Sequence, residues 1–212
     1  QIQFPHSLGL LYSSFTYYLG FKVNSGEYKM MGLAPYGEPK YTDLIFKELI
    51  DLKEDGSFKL NMKYFSYTTH LKMINKKFVS LFGKRRREPE IDKIENFHMD
   101  VASSIQKVIE IVVIKICEHI KKVTASSNLC LSGGVALNCV ANGKLLEKKI
   151  FENIWIQPAA GDAGGALGAA LSYYHLILGH KKTNTNDKMK GSYLGPEYDD
   201  QSVENSLKNL KA

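Results

Sequence analysis

The chain has 212 residues, 44% of them hydrophobic and 24% charged, with a formal net charge of +6. That balance describes a globular chain and excludes a disordered or low-complexity one, and no run approaches the ~20 apolar residues that cross a bilayer. The length admits one generous domain or two small lobes. All but three of the 28 cations are lysines, and the three arginines form one block, Arg85-Arg86-Arg87. Scattered lysines read as solvated faces, and no nucleic-acid module accompanies them, so neither nucleic acid nor membrane is an expected partner. The arginine block is left as an alternative contact for phosphates.

The opening residues Gln1-Ile-Gln-Phe-Pro5 lack the basic and apolar regions of a signal peptide. They begin mid-pattern without a methionine, so a fragment is expected. Cys117, Cys130 and Cys139 are odd in number and lie in apolar stretches. A reduced, cytoplasmic setting fits them better than a disulfide scaffold.

In chain order, the apolar spacing of Leu8, Leu11, Tyr12, Phe15, Tyr18 and Leu19 predicts a helix over 7–19, closed by Gly20. Residues 26–35 predict a short helix halted before Pro35, and 44–52 predict another. Asp55-Gly56 precedes two short runs, 58–60 and 64–67, which read as a small hairpin. A basic helix is expected over 70–82, followed by a charged, exposed stretch over 83–92. Val101, Ile105, Val108, Ile109, Val112, Ile116 and Ile120 mark one face of a long helix over 101–123.

Two glycine junctions follow. Asn128 to Leu131 suits a buried strand that runs into Ser132-Gly133-Gly134, and an apolar-periodic run over 135–146 predicts a helix directly after it. Glycines without Cβ atoms at the head of a helix offer bare N–H groups and a favourable end for negative charge. The same pattern also fits an ordinary strand-to-helix turn. The second junction repeats the first: the run from Asn153 to Gln157 reads as a short buried strand that stops at Pro158, and Gly161-Asp162 precedes a helix from Ala163 that holds Gly164, Gly165 and Gly168 in its first turns. Each glycine inside a helix costs about 0.5–1 kcal/mol against alanine. Asp162 is placed to cap that helix or to offer a carboxylate to a hard cation. A polar tract over 180–190 reads as a linker, and 202–210 as a further helix.

Five local patterns, in order, resemble the O-carbamoyltransferases of the nodulation and antibiotic-tailoring type. They are Ser7-Leu-Gly-Leu-Leu-Tyr-Ser13, the Gly26 to Gly37 segment, Asp100-Val-Ala-Ser-Ser-Ile-Gln106, Leu129 to Asn142, and Gln157 to Gly168. Gly191-Ser-Tyr-Leu-Gly-Pro196 resembles the family's exit from its first domain. The resemblance implies an α/β fold of the actin, Hsp70 and sugar-kinase (ribonuclease-H-like) type, with a mixed sheet, flanking helices and a small inserted hairpin. It divides the chain into a partial actin-like domain over 1–180 and a linker over 181–212. That linker would lead to a domain forming carbamoyl adenylate from carbamoyl phosphate and ATP. The expected activity is transfer of the carbamoyl group to the hydroxyl of a small-molecule acceptor, with a divalent metal, iron by resemblance, near the adenylate.

Carried over residue by residue, Ser132, Gly133, Gly134, Asn138, Gly161 and Gly164 match the nucleotide turns. Glu27 and Lys29 match the segment approaching the nucleotide, and Asp162 matches a metal ligand. No catalytic residue is assigned; Lys29 and His6 are the candidates. The family's paired histidine ligands have no counterpart among the six scattered histidines, so weak nucleotide binding and no turnover are expected of this chain. The same turns suit a threonylcarbamoyl transferase of tRNA modification. They also suit a sugar kinase, whose catalytic aspartate cannot be placed, or a non-enzymatic fragment whose glycines serve packing.

Overall fold

The computed structural model describes residues 1–182, 189 and 192–210. These fall into two compact units, Gln1–Gly164 and Gly165–Ala212. In the first unit, helix α1 (Leu8–Tyr18) starts where Ser7 Oγ accepts the Leu10 N–H at 3.2 Å. It stops at Gly20, whose φ is +77°. Helix α2 (Glu27–Leu33) passes into a 3-10 turn at Ala34–Tyr36. Pro35 has no N–H to give an ongoing helix but is tolerated at the start of a new turn.

Helix α3 (Thr42–Glu48) is shorter than its pattern predicts, because Ile50–Leu52 is a strand, β1. It pairs antiparallel with β2 (Phe58–Leu60), Ile50 opposite Leu60. The reason is the reversal between them: Asp55 Oδ1 accepts the Ser57 N–H at 2.9 Å, and Gly56 takes φ +80°. An Asp-Gly turn pairs the runs on its two sides. The expected partner at 64–67 instead holds a 3-10 turn, Met62–Tyr64, and a single bridge from Phe65 to Ile74.

Helix α4 covers only Lys76–Phe82, since Asn75 Oδ1 accepts the N–H groups of Lys77 and Phe78 and sets its start. The stretch after it, expected to be exposed, buries Arg87. Arg86 Nε donates to Tyr17 O at 2.8 Å, Arg87 N to Tyr18 O at 3.0 Å, and Arg87 Nη1 to Leu19 O at 3.4 Å. The arginines therefore answer the carbonyls and negative pole at the end of α1.

Helix α5 (Asn96–Thr124, 29 residues) is the axis of the unit. Glu95 and His98 form a reciprocal cap at its start, with His98 Nδ1 accepting the Glu95 N–H at 3.0 Å. Burial holds the His98 imidazole below its ordinary pKa, in keeping with a ring nitrogen that accepts. The predicted apolar face, Val101 to Val112, is buried, while Ile116 and Ile120 are half-buried. It packs with α1 and with an aromatic cluster in which Phe15 and Phe78 meet edge-on, centroids 5.2 Å apart.

Strand β3 (Asn128–Leu131) and strand β4 (Asn153–Ile156) pair in parallel, Leu129 beside Ile154. Between them the chain makes a 3-10 turn, Gly134–Leu137, and then helix α6 (Cys139–Glu147). The helix expected from 135 is thus broken at Asn138. Leu129, Leu145, Phe151 and Cys117 form a second, smaller core. The described residues form two separate two-stranded sheets, not one mixed sheet. Cys130 and Cys139 are exposed, against expectation; Cys117 alone is buried, which raises its thiol pKa to about 11.

The second unit contributes most of helix α7 (Gly164–Ser172), a π-helical turn over Tyr173–Ile177 and helix α8 (Asp200–Leu210). None of these three elements buries a side chain. The linker expected over 180–190 and the Gly191 exit lie largely outside the described residues. Among the described residues, no helix is long and apolar enough to cross a membrane.

Candidate functional site

The two glycine junctions meet. β3 and β4 are neighbours, so the turns leaving their carboxyl ends lie side by side. Gly133 N donates to Ala160 O at 2.8 Å, and a Cβ on Gly161 would lie 3.6 Å from Leu137 Cδ1. In open α/β folds, ligands settle outside the carboxyl ends of parallel strands.

The first turn is bare. Gly133 has φ +94° and requires glycine, whereas Gly134 does not take a positive φ. Apart from the adjoining stretch of chain, no atom lies within 4 Å of a Cβ built on either residue. Packing therefore gives no reason for Gly134. The turn closes on itself through Ala136 N to Gly133 O and Asn138 N to Val135 O, at 3.0 Å each. Among the described residues, the N–H groups of Gly134 and Val135 find no acceptor. Two adjacent free amides beside a bare Cα are donors that an anion can use. Ser132 is exposed at its edge.

The second turn differs. Gly164 N donates to Gly161 O at 3.1 Å, and a Cβ on Gly164 would come within 2.2 Å of Ala159 O. Gly164 is thus required by the turn itself. Asp162 stands exposed on this turn and makes no hydrogen bond or ion pair among the described residues. It does not cap α7, which begins two residues later. Its carboxylate oxygens are free for a cation. Among the described residues, however, no group of three or more histidine, cysteine or acidic side chains is placed to hold a metal.

Helices α1 and α2 border the first turn. Gly9 faces Val135, a Cβ there lying 3.6 Å from Cγ2. Cys139 Sγ is 3.9 Å from Met31 Sδ on α2. Glu27 is held in place: Oε1 accepts from Ser13 Oγ at 2.8 Å and Asn24 N at 3.0 Å, and Oε2 from Gly26 N at 3.2 Å. These bonds tie α2 to α1. Lys29 is exposed, its Nζ 5.9 Å from the Tyr28 ring centre. His6 is half-buried, and its Nδ1 accepts the Leu60 N–H at 3.1 Å, so it anchors β2.

Asn138 points inward. Its Oδ1 accepts the Ala141 N–H at 2.9 Å, capping α6, and also Gln106 Nε2 at 3.1 Å; its Nδ2 returns a bond to Gln106 Oε1 at 2.9 Å. Gln106 also accepts from Tyr12 Oη at 3.0 Å and donates to Glu110 Oε1 at 3.2 Å. All four groups are buried. Desolvation drives the Tyr12 phenol well above its usual range. Tyr12 and Gln106 lie within two of the patterns that carry the family resemblance, but the sequence marks neither them nor Glu110 as a site residue. Gln106 and Glu110 stand four apart on α5, but Asp100 and Ser104 on the same helix are also polar and buried, so the spacing alone does not single them out.

Residues 1–171 match the family described as Carbamoyltransferase N-terminus. An uncharacterised protein of Synechocystis is 60% identical over 98% of this chain, which covers 34% of that protein. Nodulation protein NolO of Bradyrhizobium diazoefficiens is 40% identical over 80% of the chain and 29% of its own length. Nodulation protein NolNO of Sinorhizobium fredii is 35% identical over 96% of the chain and 28% of its own length. The chain thus spans about a third of the length of the curated relatives it matches. With the match running from its first residue through the second glycine turn and into α7, the chain belongs to the carbamoyltransferase N-terminus family.

Proposed function

We propose that the chain is the nucleotide-facing part of an ATP-dependent O-carbamoyltransferase. The carbamoyl donor would be carbamoyl adenylate, made from carbamoyl phosphate and ATP elsewhere in the enzyme. The acceptor hydroxyl oxygen forms the new bond to the carbamoyl carbon and gives up its proton to solvent, the bond to the phosphate oxygen breaks, and AMP leaves. The fold in this reading is actin-like. One observation carries the proposal: Gly134 is bare without any packing need, beside two amides that lack acceptors. A phosphate oxygen satisfies both features.

The second turn would close the other side of the nucleotide, with Ser132 and Gly161 at the rim. Glu27 is already engaged by three donors, so it acts by fixing the wall between α1 and α2. Lys29 would offer a point charge to phosphate. Asp162 would give one oxygen to a divalent cation. A lone carboxylate does not by itself make an iron site.

Titration of the chain with ATP and with a non-hydrolysable carbamoyl-adenylate analogue tests the reading. Weak binding is expected, abolished by Gly134→Val, which fills the bare face, and reduced in magnesium by Asp162→Ala. If the unaltered chain binds neither compound at millimolar concentration, or Gly134→Val binds as well as it does, the nucleotide site is refuted.

A further inference from the structure

We propose that Gln106 is a positioning residue that sets the geometry of the 132–138 turn through Asn138. The hydrogen-bond count singles it out. A primary amide offers two acceptor sites and two donor protons, and in Gln106 all four are used: Tyr12 Oη and Asn138 Nδ2 toward Oε1, Asn138 Oδ1 and Glu110 Oε1 from Nε2. Gln106 and Asn138 thereby form a reciprocal amide pair, buried between α1, α5 and the start of α6. Leaving any of these groups unpaired in the interior is penalised more heavily than a solvated bond is rewarded. The pair therefore permits few alternative rotamers for Asn138.

Asn138 is the hinge of the site, ending the 3-10 turn that begins at Gly134 and capping α6. A second brace runs from Asn142 Nδ2 to Ala136 O at 2.7 Å. Fixing the Asn138 amide thus fixes where the turn leaves its final residue, and so the direction of the free Gly134 and Val135 amides. Helix α5 lends rigidity, because Gln106 is flanked on its own side of the helix by the buried Ala102 and Ile109. An adenine or phosphate contact is not needed from Gln106 for this role.

The nucleotide arm of this inference rests on the function proposed above; the geometric arm does not. The test uses Gln106→Met, close to isosteric and free of polar groups, Asn138→Ser, which keeps a capping oxygen too short to reach Gln106, and the double variant. Amide hydrogen exchange is followed in residues 133–142 and, as the internal reference, in residues 14–18 of α1. ATP affinity is measured alongside.

Gln106→Met is expected to speed exchange at 133–142 by about tenfold over the α1 reference and to weaken ATP by a similar factor. In the Asn138→Ser background the same change should add little, because the path runs through Asn138. Exchange that rises equally in both segments, or additive effects in the double variant, overturns the proposal, since a general packing role predicts those results. Selective loosening in a chain that never bound ATP upholds the positioning role and removes the nucleotide reading instead.

Discussion

Asp100 shows how one buried carboxylate is tied to the chain around it. It is buried in the first turns of α5 and accepts the Glu38 N–H at 2.8 Å and Lys40 Nζ at 2.9 Å. The backbone bond, then the lysine, hold its carboxyl below the ordinary carboxylate range. A depressed folded pKa means that stability is fully present above the unfolded value, ~3.9, and is lost as pH falls through the folded one. Asp100→Asn should lower stability at neutral pH by about 2 kcal/mol. It should also flatten the fall in urea midpoint below about pH 4; an unchanged acid limb would remove Asp100 from that transition. Lys40 is half-exposed and contributes less. At this scale the pattern was partly legible. Gly133 and Gly134 stand out as the point where a strand turns into a helix, although that pattern also fits an ordinary turn. Gln106 and Arg87 do not, since their partners lie 32 and 68 residues away in the chain.

At the scale of elements, close backbone approach decides more than propensity does. The 3-10 turn after α2 lies against α5 at Gly37, where a Cβ would come within 2.1 Å of Met99 C and 2.2 Å of Met99 O. Both atoms are helix backbone and cannot move aside cheaply. Gly37→Ala should therefore destabilise the first unit by about 3 kcal/mol or more, read from thermal or urea unfolding. A loss below about 1 kcal/mol would mean that the turn floats on α5. A smaller effect, about 1 kcal/mol, is expected for Asn75→Ala, which removes the two bonds that start α4. Helices with a strong apolar stripe, α1 and α5, were readable because period and caps agree. Ile50–Leu52 was not, because three apolar-flanked residues at the end of a helix carry no period of their own. The pairing imposed by Asp55-Gly56 turned them into a strand.

Across the first unit, two cores of unequal size predict unequal local stability. The larger joins α1 through α5 with Phe15, Phe78 and Phe82 at its centre. The smaller holds only Cys117, Leu129, Leu145 and Phe151 fully buried, under a parallel pair of four-residue strands. Parallel strands are ordinarily covered on both faces, yet Cys130 and Trp155 on the outward face are exposed. The succession of β3 and β4 was legible because one runs into Gly133-Gly134 and the other into Pro158; the separation into two sheets was not, since pairing is a tertiary choice. Local opening follows contact density, so the glycine turns sit at the less stable end of the unit. Phe15→Ala should cost about 4 kcal/mol and lower amide protection throughout α1 and α5. Leu145→Ala, although fully buried, should cost about 3 kcal/mol while exposing amides of β3, β4 and α6 ahead of α1. Hydrogen exchange resolves the two patterns. If Leu145→Ala releases α1 as readily as β3, the two cores unfold as one body, and the glycine turns cannot loosen on their own.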